Sequence, residues 1–331
     1  MSAVTLTAAP ADRPRQIRWL LRLHRPALYT WGVLWLALAA LLIALSGPLA
    51  EAAAEGWRQY DACGMSERCS YDQAAIMHYK DYYNYATIAL NVLPFLVAAW
   101  AGAALTGREL ESGTARLAWT QATSPARWLA VRLAVPALGV AVCTGLLAWL
   151  HHRAWAAGQG RIDSAKEWYD RFTLHANGPI EVALALAGLA AGALAGLLLR
   201  RTLPALVVGV AVSGGLLGLA YQALPYLWPA VTRESTVNHG FAGRGLVVDQ
   251  GMVTRSGAHV PIPSCGTPAS CETAYAGFAG RYSTYHPASH FWGLQLGTSA
   301  LFLAVAALLA TGCFLVLRRQ TGPLRTARAA A

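Results

Sequence analysis

Lysine is almost absent from this chain, which contains only Lys80 and Lys166 against twenty-four arginines. A nucleotide-binding P-loop needs a lysine after its glycines to reach the phosphates. No segment matches G-x-x-x-x-G-K-[ST], so the chain lacks that route to ATP hydrolysis. It also lacks G-x-S-x-G, H-E-x-x-H and C-x-x-C. These absences exclude several enzyme classes, and we expect neither catalytic nor cofactor-binding residues.

Charge is also scarce, because Asp, Glu, Lys and Arg make up 13% of the 331 residues and are almost missing from six apolar stretches. A helix rises about 1.5 Å per residue, so it crosses the ~30 Å hydrocarbon core of a bilayer in about twenty residues. The sequence therefore predicts an all-α membrane protein with one transmembrane domain over residues 1–331. The predicted spans are residues 28–46, 85–105, 129–150, 180–199, 203–224 and 291–317.

Basic residues are divided unevenly between the segments that connect these spans. The segments before the first span, around 107–132, at 200–201 and after 317 carry fifteen basic and three acidic residues. The segments 47–84, 151–179 and 225–290 carry eleven basic and, with Glu181, thirteen acidic residues. By the positive-inside rule, both termini are expected in the cytoplasm and the three long loops outside. The net charge of +10 then reports topology, and we expect no nucleic-acid partner.

Basic and apolar residues are interleaved before the first span. Residues 14–27 are expected to form an amphipathic interfacial helix with Arg15, Arg18, Arg22 and Arg25 on its polar face. A charged lead-in that only sets the orientation is the alternative. The segment also resembles a secretory signal, but its apolar run exceeds the usual ~7–15 residues, which favours a retained first span.

Four of the six cysteines form two pairs with the same spacing, Cys63/Cys69 and Cys265/Cys271. Both pairs fall in predicted external loops, where oxidising conditions favour two local disulfides. Three connectivities, free thiols and a metal site stay open from the sequence. The loop 225–290 is expected to be ordered, with irregular structure and short helices or a hairpin.

Small and polar residues inside the spans indicate where helices pack. Gly188, Gly192 and Gly196 form two small-xxx-small steps, a spacing that lets a neighbouring backbone approach closely. Uncharged polar residues at depth either bond between helices or line a route for cargo; these are Asn91, Ser213, Gln295 and Thr298. Arg132 lies near enough to a span end to snorkel to water. The lack of mid-membrane charge disfavours a proton-driven carrier or a charge-selective channel.

Two histidine pairs, His151/His152 and His286/His290, lie near the predicted external interface. Adjacent histidines on a helix point about 100° apart, which makes them poor ligands for one metal ion. We therefore expect no metal site.

The segment 107–128 between the second and third spans carries the most specific pattern. It begins Gly-Arg-Glu-Leu-Glu-Ser-Gly-Thr and ends Ser-Pro-Ala-Arg-Trp. Thr114 is predicted to cap a short helix that ends near Gln121, and Ser124 before Pro125 is a start signal for the third span. An ordinary connecting turn is the alternative interpretation.

This segment resembles the G-x-E-x-E-x-G-T motif, followed by [ST]-x-x-R-W, of ABC-type export permeases of the type V class. The run at residues 285–292 and the six-span plan with its N-terminal surface helix also look like bacterial permeases of that group. The resemblance implies a coupling helix that docks a partner subunit. The motif positions are Glu109, Glu111, Gly113 and Thr114, with Leu117 and Trp119 available for contact.

The resemblance further implies a permease subunit of an ATP-driven exporter in the bacterial cytoplasmic membrane. It would pair with a second permease subunit, as a homo- or heterodimer, within membrane lipid. A separate nucleotide-binding subunit would hold ATP and Mg²⁺, so no cofactor is expected on this chain. The cargo would be an amphipathic or apolar small molecule or peptide, although the external loops are larger than in compact drug-export members.

Two other functions are compatible with a six-span chain. A sensor or anchoring module would dock a cytoplasmic partner and bind a ligand through its external loops, with no route between the spans. A membrane-embedded enzyme would need convergent polar side chains at one depth, which the sequence does not show. A neighbouring ATPase gene would favour export.

Overall fold

The computed structural model describes Arg18 and residues 21–64, 69–121, 124–237 and 244–321. Their contacts divide the chain into two compact units, although the sequence was interpreted as one domain. The first unit comprises the chain up to Ala165, Ala176–Leu216 and the residues from Ser299 onwards. The second comprises Lys166–His175 and Leu217–Thr298.

Six helical stretches in the described part are long and apolar enough to cross a membrane, and each overlaps one predicted span, which confirms the all-α membrane class. The helices are α1 Arg25–Ser46, α2 Pro48–Cys63, α3 Gln73–Trp100, α4 Arg108–Glu111, α5 Thr114–Gln121, α6 Pro125–Gly158, α7 Arg171–Ala176, α8 Pro179–Leu199, α9 Thr202–Ala223, α10 Pro268–Tyr275 and α11 Phe291–Thr321. A π-helical turn, Ala101–Gly107, joins α3 to α4.

Several helices continue beyond the predicted spans. Because α2 runs to Cys63 and α3 begins at Gln73, most of the segment 47–84, expected as a loop, is helical. α6 likewise continues to Gly158, into the segment 151–179. The physical reason is composition, since α2 contains five Ala and two Glu among its sixteen residues, and both favour helix even in water.

In the first unit, α8 is the most deeply buried of the spanning helices. It consists largely of Ala, Leu and Gly, and it packs against α3, the π-helical turn and α6. A Cβ atom at Gly188 would lie 2.8 Å from Pro94 O, and one at Gly192 would lie 2.9 Å from Gly102 N. A Cβ atom at Gly196 would lie 2.9 Å from Gly102 O and 2.9 Å from Gly107 N, so all three predicted packing glycines meet backbone atoms of α3 and its extension.

A buried polar network joins α3, α6 and the segment before α8. The ring nitrogens of the fully buried His151 lie 2.8 Å from Thr87 Oγ1 and 2.6 Å from Asn177 Oδ1. Asn91 donates to Thr87 O at 2.8 Å, and the rings of Tyr83 and His151 are 5.0 Å apart. These bonds supply partners to polar groups that would be costly to bury alone.

The second unit contains an antiparallel four-stranded sheet within the segment expected to be irregular or a hairpin. Its strands are β1 Val231–Thr236, β2 Leu246–Thr254, β3 His259–Val260 and β4 Phe278–His286, in the order β1-β4-β2-β3. β4 pairs with both β1 and β2. The buried residues of the sheet are consecutive rather than alternating: 251–253 are buried together in β2, and Tyr282 and Ser283 are buried side by side in β4.

Both cysteine pairs are joined locally. The Cα atoms of Cys63 and Cys69 are 5.5 Å apart, and those of Cys265 and Cys271 are 5.0 Å apart. The first bridge closes the chain after α2, and the second fixes the start of α10 to the residues that precede it. Each bridge constrains a short connection between two elements of secondary structure.

The second unit also buries His175 of α7, whose ring lies 4.7 Å from that of Tyr221. Burial lowers the pKa of His175 from 6.5 to about 4. The neutral ring is thus favoured in the fold, so its stabilising contribution is complete above pH 6.5 and is lost as the pH falls towards 4. At ~1.4 kcal/mol per pKa unit, the loss amounts to about 3 kcal/mol.

Thermal unfolding of the purified protein at pH 7, 6 and 5 tests this prediction. We expect His175→Phe to reduce the acid-induced fall in Tm, whereas His78→Asn, at an exposed position, should leave it unchanged. An identical fall in wild type and His175→Phe would show that other groups cause the acid sensitivity.

Candidate coupling site between α3 and α6

The candidate site is the segment that leads from the π-helical turn through α4 and α5 to α6. In the turn, the N–H of Arg108 bonds to Ala103 O, five residues back, and Thr106 Oγ1 donates to Ala101 O at 3.3 Å. The same hydroxyl lies 3.2 Å from Ala193 O of α8. Thr106 therefore ties the start of the site to the central helix.

Glu109 and Arg132 form an ion pair inside the protein, with 2.5 Å between Oε1 and Nη2. Their side chains are 9% and 3% exposed. Arg132 also donates to Leu105 O at 3.2 Å, and its guanidinium lies 4.6 Å from the ring centroid of Trp128. The prediction that Arg132 snorkels to water is wrong, because a carboxylate, a carbonyl and an aromatic face satisfy it internally.

Glu111 makes the corresponding link to α9. Its Oε2 accepts hydrogen bonds from Thr202 N at 2.9 Å and from Thr202 Oγ1 at 2.5 Å. A carboxylate at a helix N-terminus satisfies amides that lack intrahelical partners and complements the helix dipole. The two glutamates of the motif thus hold α4 to α6 and to α9, and their part in coupling to a partner subunit stays a prediction.

Gly113 and Thr114 turn the chain from α4 into α5. Gly113 has φ +74, a conformation that glycine adopts without a steric penalty. Thr114 Oγ1 donates to Glu109 O at 3.3 Å and lies 3.0 Å from Ser112 Oγ. Its hydroxyl therefore fastens α5 back to α4, which differs from the helix-capping role that we predicted, although α5 does begin at Thr114.

The two faces of α5 differ in burial. Ala115 is buried, and the half-buried Trp119 packs its ring edge-on against Trp128, with centroids 5.5 Å apart. Leu117 is 62% exposed, with Arg116 and Thr120 exposed beside it. Of the two side chains that we expected to be available for contact, Leu117 is exposed and Trp119 packs against α6.

As predicted, α6 begins after Ser124, whose Oγ accepts a hydrogen bond from Arg127 N at 3.3 Å. A serine at this position followed by proline is a strong helix start, because the side chain satisfies an amide that has no intrahelical partner. The candidate site therefore lies between two long apolar helices, α3 before it and α6 after it.

The four polar residues considered for a cargo route are all buried: Asn91, Ser213, Gln295 and Thr298. Asn91 and Ser213 bond to carbonyls of their own helices, Thr87 O and Gly209 O. Gln295 donates to Leu174 O at 2.6 Å. Thr298 Oγ1 has no hydrogen-bond partner among the described residues. The bonds of the first three agree with structural roles, and a cargo route through these residues stays a prediction.

The histidine pairs make hydrogen bonds of their own. His286 Nε2 lies 2.9 Å from Pro225 O, which can only accept, so that nitrogen donates. His286 Nδ1 then faces His290 Nδ1 at 3.2 Å. Within the described ranges, no three His, Cys, Asp or Glu side chains are grouped as they would be around a metal ion.

Sequence reasoning missed Arg132, Thr202 and Thr106 as parts of this site. Glu109 and Arg132 carry opposite charges near the ends of two adjacent spans, which permits a pair but does not by itself predict one. Thr202 and Thr106 carried no comparable signal, because their roles depend on which helices lie side by side.

Six apolar helices, one of them glycine-rich and deeply buried, and a short helix packed against α6 define a multi-pass membrane protein. The chain matches the family "ABC-2 membrane transporter related" over residues 32–224, more than half its length, and it belongs to that family. It is a membrane permease component of an ABC transporter. No curated protein and no solved structure matches it.

Proposed function

We propose that this chain is the membrane-spanning subunit of an ATP-driven exporter whose power comes from a separate nucleotide-binding subunit that docks on α5. The main observation behind this proposal is that α5 has one exposed face, which includes Leu117, and one face packed against α6 through Trp119. A partner that contacts Leu117 and Arg116 would act on a helix that directly follows α4 and the π-helical turn. Glu109, Glu111 and Thr106 join that preceding segment to α6, α9 and α8.

ATP and Mg²⁺ would bind the partner, and closure of two such partners would move α5 in each half of a permease dimer. The movement of α5 would then displace the helices around α8, because close-packed backbones have little free space in which to move independently. The cargo would be an amphipathic or apolar molecule or peptide, since the chain carries little charge within its spans.

We place the protein in a bacterial cytoplasmic membrane with both termini and α5 in the cytoplasm. The uneven division of basic residues supports this orientation. Impermeant labelling of single cysteines introduced at Arg116 and at Thr232 tests it. In intact cells we expect the cysteine at position 232 to be labelled and the cysteine at position 116 to stay unlabelled. Labelling at position 116 would contradict the proposed orientation.

The docking surface is tested with the charge and polarity changes Arg116→Glu and Leu117→Asp. We expect each variant to insert normally but to retain ~30-fold less ATPase on purification, because a central contact of an interface contributes about 2 kcal/mol or more. Nucleotide-dependent transport should fall in parallel. The measurement is vanadate-sensitive ATP hydrolysis per purified permease.

Arg200→Glu provides the matched control, because Arg200 is exposed after α8 and the variant makes the same change of charge outside α5. It should retain the ATPase at the wild-type level. Equal loss in Arg116→Glu and Arg200→Glu would point to bulk charge and remove the case for docking on α5.

A sensor or anchoring module is the second candidate, favoured by the disulfide-linked sheet unit, which could bind a ligand by itself. Such a module would also dock a partner through α5 but would move no cargo. ATP hydrolysis by the reconstituted complex that rises with added amphipathic substrates separates the two functions, as does an ATPase gene beside this one.

A further inference from the structure

Three arginines line one groove at the start of the first spanning helix. The groove has a volume of about 330 Å³, within the range of small-ligand sites. Its lining residues are Arg18, Leu21, Arg22, Arg25, Leu28 and Tyr29. Positive side chains and apolar side chains therefore share one surface, as a ligand with a charged head and an apolar tail requires.

The arginines are placed to bind an anion rather than to bond within the protein. Arg18, Arg22 and Arg25 are all exposed, and no carboxylate in the described ranges pairs with any of them. Arg25 donates to Tyr29 OH at 3.2 Å, which holds one guanidinium at the rim. Arg25 and Tyr29 lie one turn apart on α1, and Arg18 and Arg22 precede the start of that helix.

The opposite side of this segment is occupied. His24 packs its ring against Trp100 at the end of α3, with centroids 5.5 Å apart. Since α3 leads into α5, the groove and α5 belong to the same side of the membrane. The apolar side chains that follow the arginines, Leu28 and Tyr29, are 46% and 65% exposed.

From this arrangement we propose that the groove binds the headgroup of an anionic phospholipid of the inner leaflet. Arginine guanidinium groups bind phosphate oxygens in pairs, and Leu21, Leu28 and Tyr29 lie where the upper acyl chain would run. The inner leaflet supplies the negative charge that complements the three arginines. The proposal rests on the orientation proposed above but not on docking of an ATPase.

Native mass spectrometry of the full chain in detergent tests the site, with dioleoyl-phosphatidylglycerol and dioleoyl-phosphatidylcholine as probes. Wild type should bind the anionic lipid much more tightly than the zwitterionic one. The variant R18Q/R22Q/R25Q should lose ~100-fold of the affinity for phosphatidylglycerol, and the single variant R22Q on the order of fivefold, because each arginine near an anionic lipid contributes a similar amount. Because R22Q alters a single exposed residue, it still measures the contribution of the site to phosphatidylglycerol binding if the triple variant does not fold.

The control R200Q/R201Q/R319Q removes the same charge from other exposed positions of the same side and should bind within about twofold of wild type. Equal losses in the two triple variants, or no preference of wild type for phosphatidylglycerol, would overturn the proposal. Displacement of the lipid by an equal concentration of inorganic phosphate would also overturn it, because the groove would then be a simple anion site. No nucleotide or partner is present, so these outcomes are independent of those for docking on α5.

Discussion

Arg132→Met is expected to lower the free energy of unfolding by about 3–5 kcal/mol, because it leaves the Glu109 carboxylate buried without its cation. For a protein of this size the apparent Tm should fall by roughly 10 °C. The double variant E109Q/R132M should recover much of this loss, since a well-packed neutral pair carries no charge to desolvate. Thermal unfolding in detergent of wild type, both single variants and the double variant provides the measurement.

The exposed pair of Arg58 and Glu55 offers a matched control in the same protein. These side chains are 74% and 51% exposed, so Arg58→Met should change stability by less than about 1 kcal/mol. If R58M and R132M proved equally destabilising, burial would not be the cause. If E109Q/R132M retained full stability but lost nucleotide-dependent transport, the pair would be needed for coupling.

Gly192→Ala is expected to destabilise the protein by about 1–3 kcal/mol although it adds a single methyl group to a helix. The new Cβ atom would lie 2.9 Å from Gly102 N and closer still to Ala98 O. Both atoms belong to backbone, which cannot rotate away as a side chain can. The α3 and α8 helices would therefore have to separate, and Tm and detergent stability should both fall.

The same substitution at Gly215 of α9 has no neighbour within 4 Å of the new Cβ atom. Gly215→Ala should leave stability unchanged or raise it by up to ~1 kcal/mol, because alanine favours helix over glycine. A comparable loss at both positions would mean that helix flexibility, and not close packing, explains the effect of Gly192→Ala.

The six spans and the start of α6 could be predicted because each depends on residues close together in sequence. A bilayer demands a continuous apolar run, and Ser124 with Pro125 defines a helix start by itself. The glycines of α8 could also be identified, since their spacing of four places them on one face. Their partner helix could not, because the spacing contains no information about the neighbour.

The charged pair in the site escaped prediction for a physical reason. Arginine near a span end ordinarily extends to the membrane surface, and nothing in the local sequence distinguishes that outcome from an internal partner. Glu109 and Arg132 are 23 positions apart, and only the return of the chain through α5 brings them together. The same reasoning applies to Glu111 and Thr202, which lie 91 residues apart.

The sheet was missed because its pairings are distant and its strands are interrupted by polar residues. Val231 pairs with Tyr285, across more than fifty residues. β2 contains an irregularity between Val247 and Asp249, which breaks the alternation that would have indicated a strand. The abundant Gly, Pro, Ser and Thr of this segment favoured an irregular loop.

The π-helical turn before α4 fixes the direction in which the two glutamates point. A π turn accommodates one residue more than an α-helix does over the same rise, and each residue of an α-helix advances the chain by about 100° around the axis. If all seven residues of the turn were wound as ordinary α-helix, α4 would be carried one residue further, about 100° around the axis, and both carboxylates would turn away from Arg132 and Thr202. By accommodating one extra residue, the π-helical turn keeps Glu109 directed at Arg132 and Glu111 directed at Thr202.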